Sequence, residues 1–589
     1  MGVIWTKVWF DLWHNRMRTL LAVLSITAGV FAVGTMFGMS DLLTYNLDKN
    51  HRAVFPPHMN MALGQLVDRD VIMDLKNVPG VENVDPYVNI SVSYKIDPAK
   101  DWRPGVIQLR DDFENQKYEV VQLRDGTWPQ KSQVGVERMA ASFLKVGVGD
   151  QVIFKMGNGE RVFPITSKIR HPFVPPPQFM DLAYFFTDAE TLERFGIPIG
   201  KFNSVFVRVT PYSLDHAKEV ANLIKDRLGK QNISVGGIVY EDPERHWGRA
   251  FFDGITIVLE VLAVISVIIS AVLVYNTLSN LITQQINQIG ILKAIGGKSR
   301  TIIQVYLSEA LIYALLALLI AVPLGAMVAF SMTQSFLGLF NIDYTDFEIS
   351  QFALGAQIVS ALAVTLLAGL IPTLQGAAIT VRQAIASYGL GSDFGSTRLD
   401  RVVEKIGARL LPSHYATSLG NMFRRKGRLV LTQIVLITAG TAFLLVMSLN
   451  SSITLTLDNL FARNKYDSII MFSRLLRTEQ VKEMLQSVAD VDRAELRLLQ
   501  SASILLEGQL VKDAGIGTTI EGIPAGSDFS NPLMIAGRWL QPGDGRVIVI
   551  KRDTAEKNHI QPGDTVTLNL GVYGKDTWQV VGIYEPVFT

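Results

Sequence analysis

Few residues in this chain have the type and spacing that covalent chemistry needs. Gly297-Lys298-Ser299 reads like the tail of a phosphate-binding loop. Such a loop needs a first glycine at position 292, which is Leu, and a buried strand before it, whereas this site follows an apolar run. No His-Glu-x-x-His helix and no Gly-x-Ser-x-Gly elbow occurs, so hydrolytic chemistry has no support. The absence of Cys removes disulfides, thiolate metal sites and Cys nucleophiles. Gly149-Asp150 and Gly563-Asp564 each precede a strand-like run; such a pair can ligate a metal, but Gly and Asp are first of all turn residues. No catalytic residue and no metal set is expected.

The remaining candidates are of another kind. Glu260 and Glu309 stand inside apolar stretches, where a charge at the bilayer centre costs about 3 kcal/mol or more and faces protein or water. Glu309 lies about two turns from Arg300. A pairing with Lys293 or Arg300 and a transport role are both open for it. Glu260 lies near the outer boundary set by Asp253 and is a candidate for substrate contact. Between the two stretches, Ile286 to Ile295 is apolar and basic. Ile289, Leu292 and Ile295 recur at near-helical spacing with Lys293 beside them, and Gly296, Gly297 and Lys298 follow. A face of this kind suits docking into a groove of a soluble partner. An ordinary amphipathic connector is the alternative.

The elements that must position these residues are membrane spans. The 589 residues are 48% hydrophobic with mean hydropathy +0.25, and the apolar residues come in blocks. Thr19 to Ser40, Ile349 to Val381 and Leu429 to Leu457 carry no charge, and each exceeds the roughly 20 residues that cross a bilayer core. Five spans are expected, at 19–42, 251–281, 302–333, 352–376 and 429–457. The first is too long for a signal-peptide core and reads as an uncleaved anchor. Lys7, Arg16 and Arg18 precede it against Asp11 alone, which places the N-terminus in the cytoplasm. Lys293, Lys298 and Arg300 then mark the 284–300 loop as cytoplasmic, and Asp343, Asp346 and Glu348 mark the next loop as external. Nine Lys and Arg against three Asp and Glu return the 382–428 linker, with a second interfacial helix, to the cytoplasm. Within 1–18, Trp5, Trp9 and Trp13 recur every four residues beside Ile4, Val8 and Leu12, the pattern of a helix lying in the membrane interface. A net charge of +1 gives no basic stripe, so nucleic acid is not an expected partner, whereas membrane lipid is.

The polar segments 45–248 and 459–589 read as mixed α/β domains outside the membrane. Helices are expected at Asp70 to Val78, Ser213 to Leu228 and Thr478 to Val488, with strands at Asn89 to Ile96 and Ser204 to Thr210. The chain also nearly repeats itself. Ile26-Thr-Ala-Gly29 returns as Ile437-Thr-Ala-Gly440, and the same offset of 411 carries Gly126 and Trp128 onto Gly537 and Trp539. Two matches in register suggest a duplicated four-span unit, of which the second copy holds only one span and an incomplete domain. By that logic about 209 further residues, the rest of the domain and three spans, belong to the second unit.

Gln288-Ile-Gly-Ile-Leu-Lys-Ala-Ile-Gly-Gly-Lys-Ser-Arg300, Glu309 in the next span, and Gly369-Leu-Ile-Pro-Thr373 with Ala377-Ala-Ile-Thr-Val-Arg-Gln-Ala-Ile385 together resemble the MacB/FtsX/LolC superfamily of ABC transporter permeases, the type VII systems. Thr380-Val381 stands where that family has Asp-Pro. The duplicated layout resembles the branch with two FtsX-like units. The resemblance implies an α-helical membrane protein with mixed α/β extracytoplasmic domains, the first like the MacB periplasmic core. It implies a separate ATP-binding-cassette ATPase dimer as partner, with ATP and Mg on that subunit and none in this chain. It makes the 284–300 loop a coupling helix that transmits ATPase closure through the spans to the outer domains, acting on lipoproteins, peptides or amphipathic drugs. A periplasmic or extracellular adaptor, a lipoprotein or a hydrolase is a further candidate partner. Activation of a cell-wall hydrolase and ligand sensing are the alternative functions.

Overall fold

The computed structural model describes residues 3–156, 159–174, 177, 182–246, 248–382, 405, 412, 414–415, 426–463, 465–467, 469–470, 472, 476–488, 490–505, 516–524, 526–570 and 574–585. The chain divides into a helical unit, Met1–Ala53 with Glu244–Met447, and an α/β unit, Val54–Pro243 with Ser448–Thr589. Among the described residues, five helices are long and apolar enough to cross a membrane: Arg16–Ala53, Phe251–Gln284, Ser299–Leu339, Gln351–Ala378 and Leu429–Ser452, spans 1 to 5 in chain order. Span 3 is 41 residues long, about 60 Å at 1.5 Å per residue, twice the thickness of a bilayer core. Apart from Arg382, Lys405, Pro412, His414, Tyr415 and the first residues of the span 5 helix (Lys426–Arg463), the linker and second interfacial helix expected over 382–428 lie outside the described residues.

Span 1 is the hub of the bundle because glycines on more than one of its faces let neighbouring helices approach closely. A Cβ on Gly29 would overlap Ser270 of span 2, one on Gly34 would overlap the Gln357 amide of span 4, and one on Gly38 would sit 2.9 Å from Ala329 of span 3. In lipid, where apolar burial gives no net drive between helices, such close backbone approach is what holds them together. Gln357 is the polar centre of this packing. It is buried, and its amide donates to the Val30 and Ala321 carbonyls of spans 1 and 3 at 3.3 and 3.2 Å. Just beyond it span 4 contains a π-helical turn, Ser360–Val364. At one end of the bundle Phe252, Phe336 and Phe340 pack against Leu43 and Leu47.

The first α/β domain is one ten-stranded sheet. Its strands are β1 (Met59–Asp68), β2 (Val81–Lys95), β3 (Arg103–Arg110), β4 (Gln122–Gly126), β5 (Val134–Glu137), β6 (Gln151–Met156), β7 (Gly159–Arg170), β8 (Ala183–Phe186), β9 (Lys201–Val209) and β10 (Val235–Tyr240). The order is β10-β1-β9-β2-β3-β8-β5-β7-β4, with β6 bridging β2 and β7. The helix expected from Ser213 runs Leu214–Gly229, and the Ser213 hydroxyl caps it by accepting from the His216 amide at 3.1 Å. The stretch expected as one helix from Asp70 is two short turns, Arg69–Met73 and a 3₁₀ turn Asp74–Asn77.

The second domain has β11 (Leu498–Leu505), β12 (Ile516–Gly522), β13 (Leu533–Gly537), β14 (Val547–Lys551), β15 (Thr565–Asn569) and β16 (Lys575–Glu585). β11 to β16 repeat the pairing of β2 to β7 strand for strand: β14 is parallel to β16 as β5 is to β7, and β11, β13 and β15 pair as β2, β4 and β6 do. The glycines of the sequence repeat close the same strand. Gly126 and Gly537 have φ of 80° and 69°, and each lies against a carbonyl of its partner strand, Thr166 or Val581, where a Cβ has no room. The Gly-Asp turns are also built alike. Asp150 accepts from the Gly147 amide and Asp564 from the Gln561 amide, both at 2.7 Å. The aspartates therefore close turns by bonding their own backbone.

Candidate functional site: the connector helix and its anchors

Between spans 2 and 3 the chain forms a short helix, Ile286–Ala294. Its end is set by two glycines. Gly296, at φ 98°, donates to the Lys293 carbonyl at 3.0 Å, and Gly297 donates to Leu292 at 2.8 Å, the paired bonds of a Schellman cap. A Cβ on Gly297 would sit 2.6 Å from the Leu292 carbonyl oxygen. The Gly-Gly that invited a phosphate-loop reading thus stops one helix so that the next can start at Ser299. Lys298 sits at that junction with its side chain exposed.

Lys293 is a structural clamp. Its ammonium donates to the carbonyls of Ala377 and Ile379 at 2.6 and 2.7 Å, and the Ser299 hydroxyl adds a bond to Ala377 at 3.0 Å. These carbonyls end span 4, where a helix has no intrahelical donors left and a cation is favoured. The expected docking face is therefore corrected. Ile289 is 0% exposed, in a core with Ile282, Ile302, Tyr306 and Ala377, so it has no surface to offer a partner. Leu292 is half-buried. The apolar side chains that do face out are Ile291 and Ile295, 63% and 76% exposed and four residues apart, with Lys298 and Arg300 beyond them. A strict i, i+3 count placed Ile289 on the face; which side of a nine-residue helix meets the bundle is a tertiary fact.

Glu309 pairs with neither Lys293 nor Arg300. It is 1% exposed, and its carboxyl lies beside those of Asp11 and the guanidinium of Arg18, with Lys7 near. Lys7 pairs with Asp11 at 2.6 Å. The Gln285 amide, oriented with its oxygen toward Arg18, accepts from both Arg18 Nη atoms at 3.0 and 3.1 Å and donates to the Tyr306 hydroxyl at 2.6 Å. The cations Lys7 and Arg18 thus meet the carboxyl groups of Asp11 and Glu309 in one node. It ties together the N-terminal helix (Val3–His14), the start of span 1, the junction of span 2 with the connector, and span 3. Asp11 and Arg18 entered the sequence reading only as orientation charges; their partners stand almost 300 residues away.

The N-terminal helix is apolar on two sides. Val8 and Leu12 face the bundle, while Trp5, Trp9, Phe10 and Trp13 are exposed, with Arg16 stacked 4.4 Å over the Trp13 ring. At the other end of the bundle Arg249 pairs with Asp48 and, at 2.6 Å, with Asp253. Lys49 pairs with Glu348 at 2.9 Å, Arg52 with Glu244 at 3.3 Å, and the Ser350 hydroxyl donates to Asp41 at 2.5 Å. Glu260 is exposed and meets only the Ser40 hydroxyl at 3.5 Å, so it is brought together with none of the other candidates. Among the described residues no cluster of His, Asp and Glu could hold a metal ion.

The chain was compared with known proteins. The FtsX-like permease C-terminal family matches residues 260–381, the stretch that holds the connector helix and its anchors in spans 3 and 4. The MacB-like periplasmic core domain matches residues 429–589. No match was found among curated proteins. Among solved structures, the periplasmic region of MacB from Actinobacillus actinomycetemcomitans is similar at 15% identity and a TM-score of 0.23, covering 34% of this chain and 92% of that one. The extracellular domain of the noncanonic ABC-type transporter YknZ from Gram-positive bacteria gives 15% identity and a TM-score of 0.21, over 30% of this chain and 98% of that one. A domain of a permease protein from Porphyromonas gingivalis gives 13% and 0.22, over 34% and 98%. The chain thus matches an FtsX-like permease domain around its connector helix and a MacB-like periplasmic core domain from its fifth span onward.

Proposed function

We propose that the chain is the membrane subunit of an ATP-driven export or mechanotransmission complex in the cell membrane, with its N-terminus and connector helix in the cytoplasm and both α/β domains outside. ATP and Mg are held by a separate ATP-binding-cassette dimer, which docks on Ile291 and Ile295. The domains act on a lipoprotein, peptide or amphipathic substrate, and an adaptor, lipoprotein or hydrolase is a further external partner. The repeated strand pairing of β2–β7 in β11–β16 supports reading the chain as two copies of one unit, four spans and then one.

One observation carries this reading: the connector presents exposed isoleucines on one side while Lys293 and Ile289 fix the other to spans 2, 3 and 4. A docking surface rigidly tied to the spans is what a coupling helix requires. The test is the double replacement Ile291→Asp and Ile295→Asp. Each buried isoleucine contributes about 1.5 to 3 kcal/mol, and an unpaired carboxylate in an apolar groove costs several more. Binding of the co-purifying ATPase should fall at least ~100-fold, since 1.4 kcal/mol is a factor of ten. Folding should survive, because both positions are on the surface. Unchanged ATPase association and stimulation would remove this docking site.

A further inference from the structure

In the first α/β domain the segments by which the chain arrives from span 1 and departs toward span 2 lie side by side. The Glu241 amide donates to the His58 carbonyl at 3.1 Å. The loop before β4 joins the same seam, where Glu119 and Val120 donate to the carbonyls of Phe55 and Val54 at 3.2 and 3.1 Å. Glu119 adopts φ of 45°, a left-handed conformation unfavourable for a residue with a Cβ, and its side chain is only 6% exposed.

Arg110, at the end of β3, is 3% exposed. Its Nη2 donates to the Glu119 carbonyl at 3.1 Å and lies 3.7 Å from Glu119 Oε2, while the guanidinium stacks 4.8 Å over Phe206. The Glu241 carboxyl faces that of Glu119 within hydrogen-bond reach. Its Oε2 and the Arg110 Nε and Nη1 are enclosed without a partner.

The surroundings do not neutralise the pair. From β2, Tyr87 is neutral, pushed up by burial, and Asp85 points at the Lys117 amide. From β8, Tyr184 is pushed up by burial. After β7, His171 is held well below its ordinary value by burial, so it stays neutral, as does His58 at about 4. Arg208 of β9 is committed to Glu82 at 3.2 Å, and Asp111 to Arg69 at 2.8 Å. Two carboxylates against one guanidinium would leave an excess negative charge in a buried site, and one proton removes it.

We propose that Glu119 and Glu241 hold a single proton between them, Glu241 as the acid and Glu119 as the carboxylate facing Arg110, and that this proton site locks together the entry and exit segments of the domain. The O–H of Glu241 donates to Glu119; losing the proton to water leaves two carboxylates facing each other. Burial pushes both carboxyls above their ordinary value of 4.5, Glu241 the further, to about 9, because Arg110 faces Glu119. The folded state therefore binds the proton more tightly than the unfolded one. The stabilisation is complete below the ordinary value and is lost as pH rises through about 9.

The test uses the full chain in lipid nanodiscs with no ATPase, so its outcome is independent of the coupling reading. Amide exchange at Glu119, Val120 and Glu241 is followed from about pH 7 to about pH 10, corrected for the intrinsic rate, beside the infrared carboxylic-acid band. Wild type should lose protection about 10-fold per pH unit above the transition and lose the band in step. Glu241→Gln keeps the donor to Glu119, so its protection should stay level and the titrating band should be absent. Glu119→Gln should move the transition down by about one unit or more, since the amide cannot hold the proton as a carboxylate does. Protection that is independent of pH in wild type, or the same loss in Glu241→Gln, overturns the proposal. The wild-type titration alone decides it if neither variant folds.

Discussion

Replacing Lys293 with Met keeps the length and apolar packing of the stem and removes only the ammonium. That ammonium makes two bonds, to the Ala377 and Ile379 carbonyls at 2.6 and 2.7 Å. A hydrogen bond to a charged group contributes about 1.5 to 3 kcal/mol, and Lys293 is half-buried and gives up part of its hydration to make them. Ala377 also keeps the Ser299 hydroxyl at 3.0 Å, so only the Ile379 carbonyl is orphaned. The lower end of the range therefore applies to the pair, about 2 to 3 kcal/mol in all. At 1.4 kcal/mol per factor of ten, detachment of the connector from span 4 becomes about 30- to 150-fold more frequent. Amide exchange of Gly296 and Gly297 in the purified full chain should accelerate by that factor while the amides of the spans do not change. The ATPase proposed to dock on Ile291 and Ile295 should still bind, but its turnover should no longer respond to the permease. Lys293→Arg, which keeps a charged donor, should stay close to wild type. Unchanged exchange in Lys293→Met, or equal damage from Met and Arg, would refute the clamp.

Two other perturbations probe the same assembly. Single cysteines at Ser132 and Ser299, in a chain without native Cys, should react with an impermeant maleimide in intact cells and only after lysis, respectively; the reverse pattern would invert the orientation. Arg18→Leu removes the cation that faces Asp11 and Glu309 together with its two bonds to the Gln285 oxygen and should lower stability by up to about 3 kcal/mol, whereas Arg18→Leu with Glu309→Leu, which keeps the Lys7–Asp11 pair, should recover most of it in thermal unfolding. A double variant no more stable than Arg18→Leu would show that the loss does not come from Glu309 left without Arg18.

The spans, the α/β character of the domains and the connector loop could be read from the sequence because each is written locally, in uncharged runs longer than a bilayer, in alternating strands and in a cap such as Ser213. The strand pairing that β11–β16 share with β2–β7 gives the glycines of the 411-residue offset a reason: Gly126 and Gly537 lie where a partner strand's carbonyl leaves no room for a Cβ. What could not be read is contact between distant segments. Ile289 and Ile291 differ by two positions, yet one is core and the other surface, and only the placement of span 3 decides which. Glu309 carries no mark of Arg18 or Asp11. Gln357 drew no attention in a run chosen for its lack of charge, although two other spans converge on its amide.

These contacts bear on how the proposed work could cross the membrane. The connector is bonded to the end of span 4 and buried against spans 2 and 3, and the Gln285 node adds the N-terminal helix, so a push on Ile291 and Ile295 displaces four helix ends together. Spans 1 and 3, of 38 and 41 residues, are continuous helices of about 57 and 62 Å, span 3 with Pro323 inside it. Close packing of span 1 against spans 2, 4 and 3 at Gly29, Gly34 and Gly38 leaves little slack to absorb a displacement within the bundle. Span 4 is the exception. Its π turn at Ser360–Val364 follows directly on Gln357, and π turns mark places where a helix can shift register. Movement of its end by Lys293 would therefore rotate span 4 about the Gln357 bonds, while spans 1 and 3 carry the rest along their axes. At their far end Arg249 joins span 1 to span 2 through Asp48, and Lys49 joins span 1 to the loop before span 4 through Glu348. Those links sit close in sequence to Ala53 and Glu244, the residues from which the chain passes into and out of the first α/β domain.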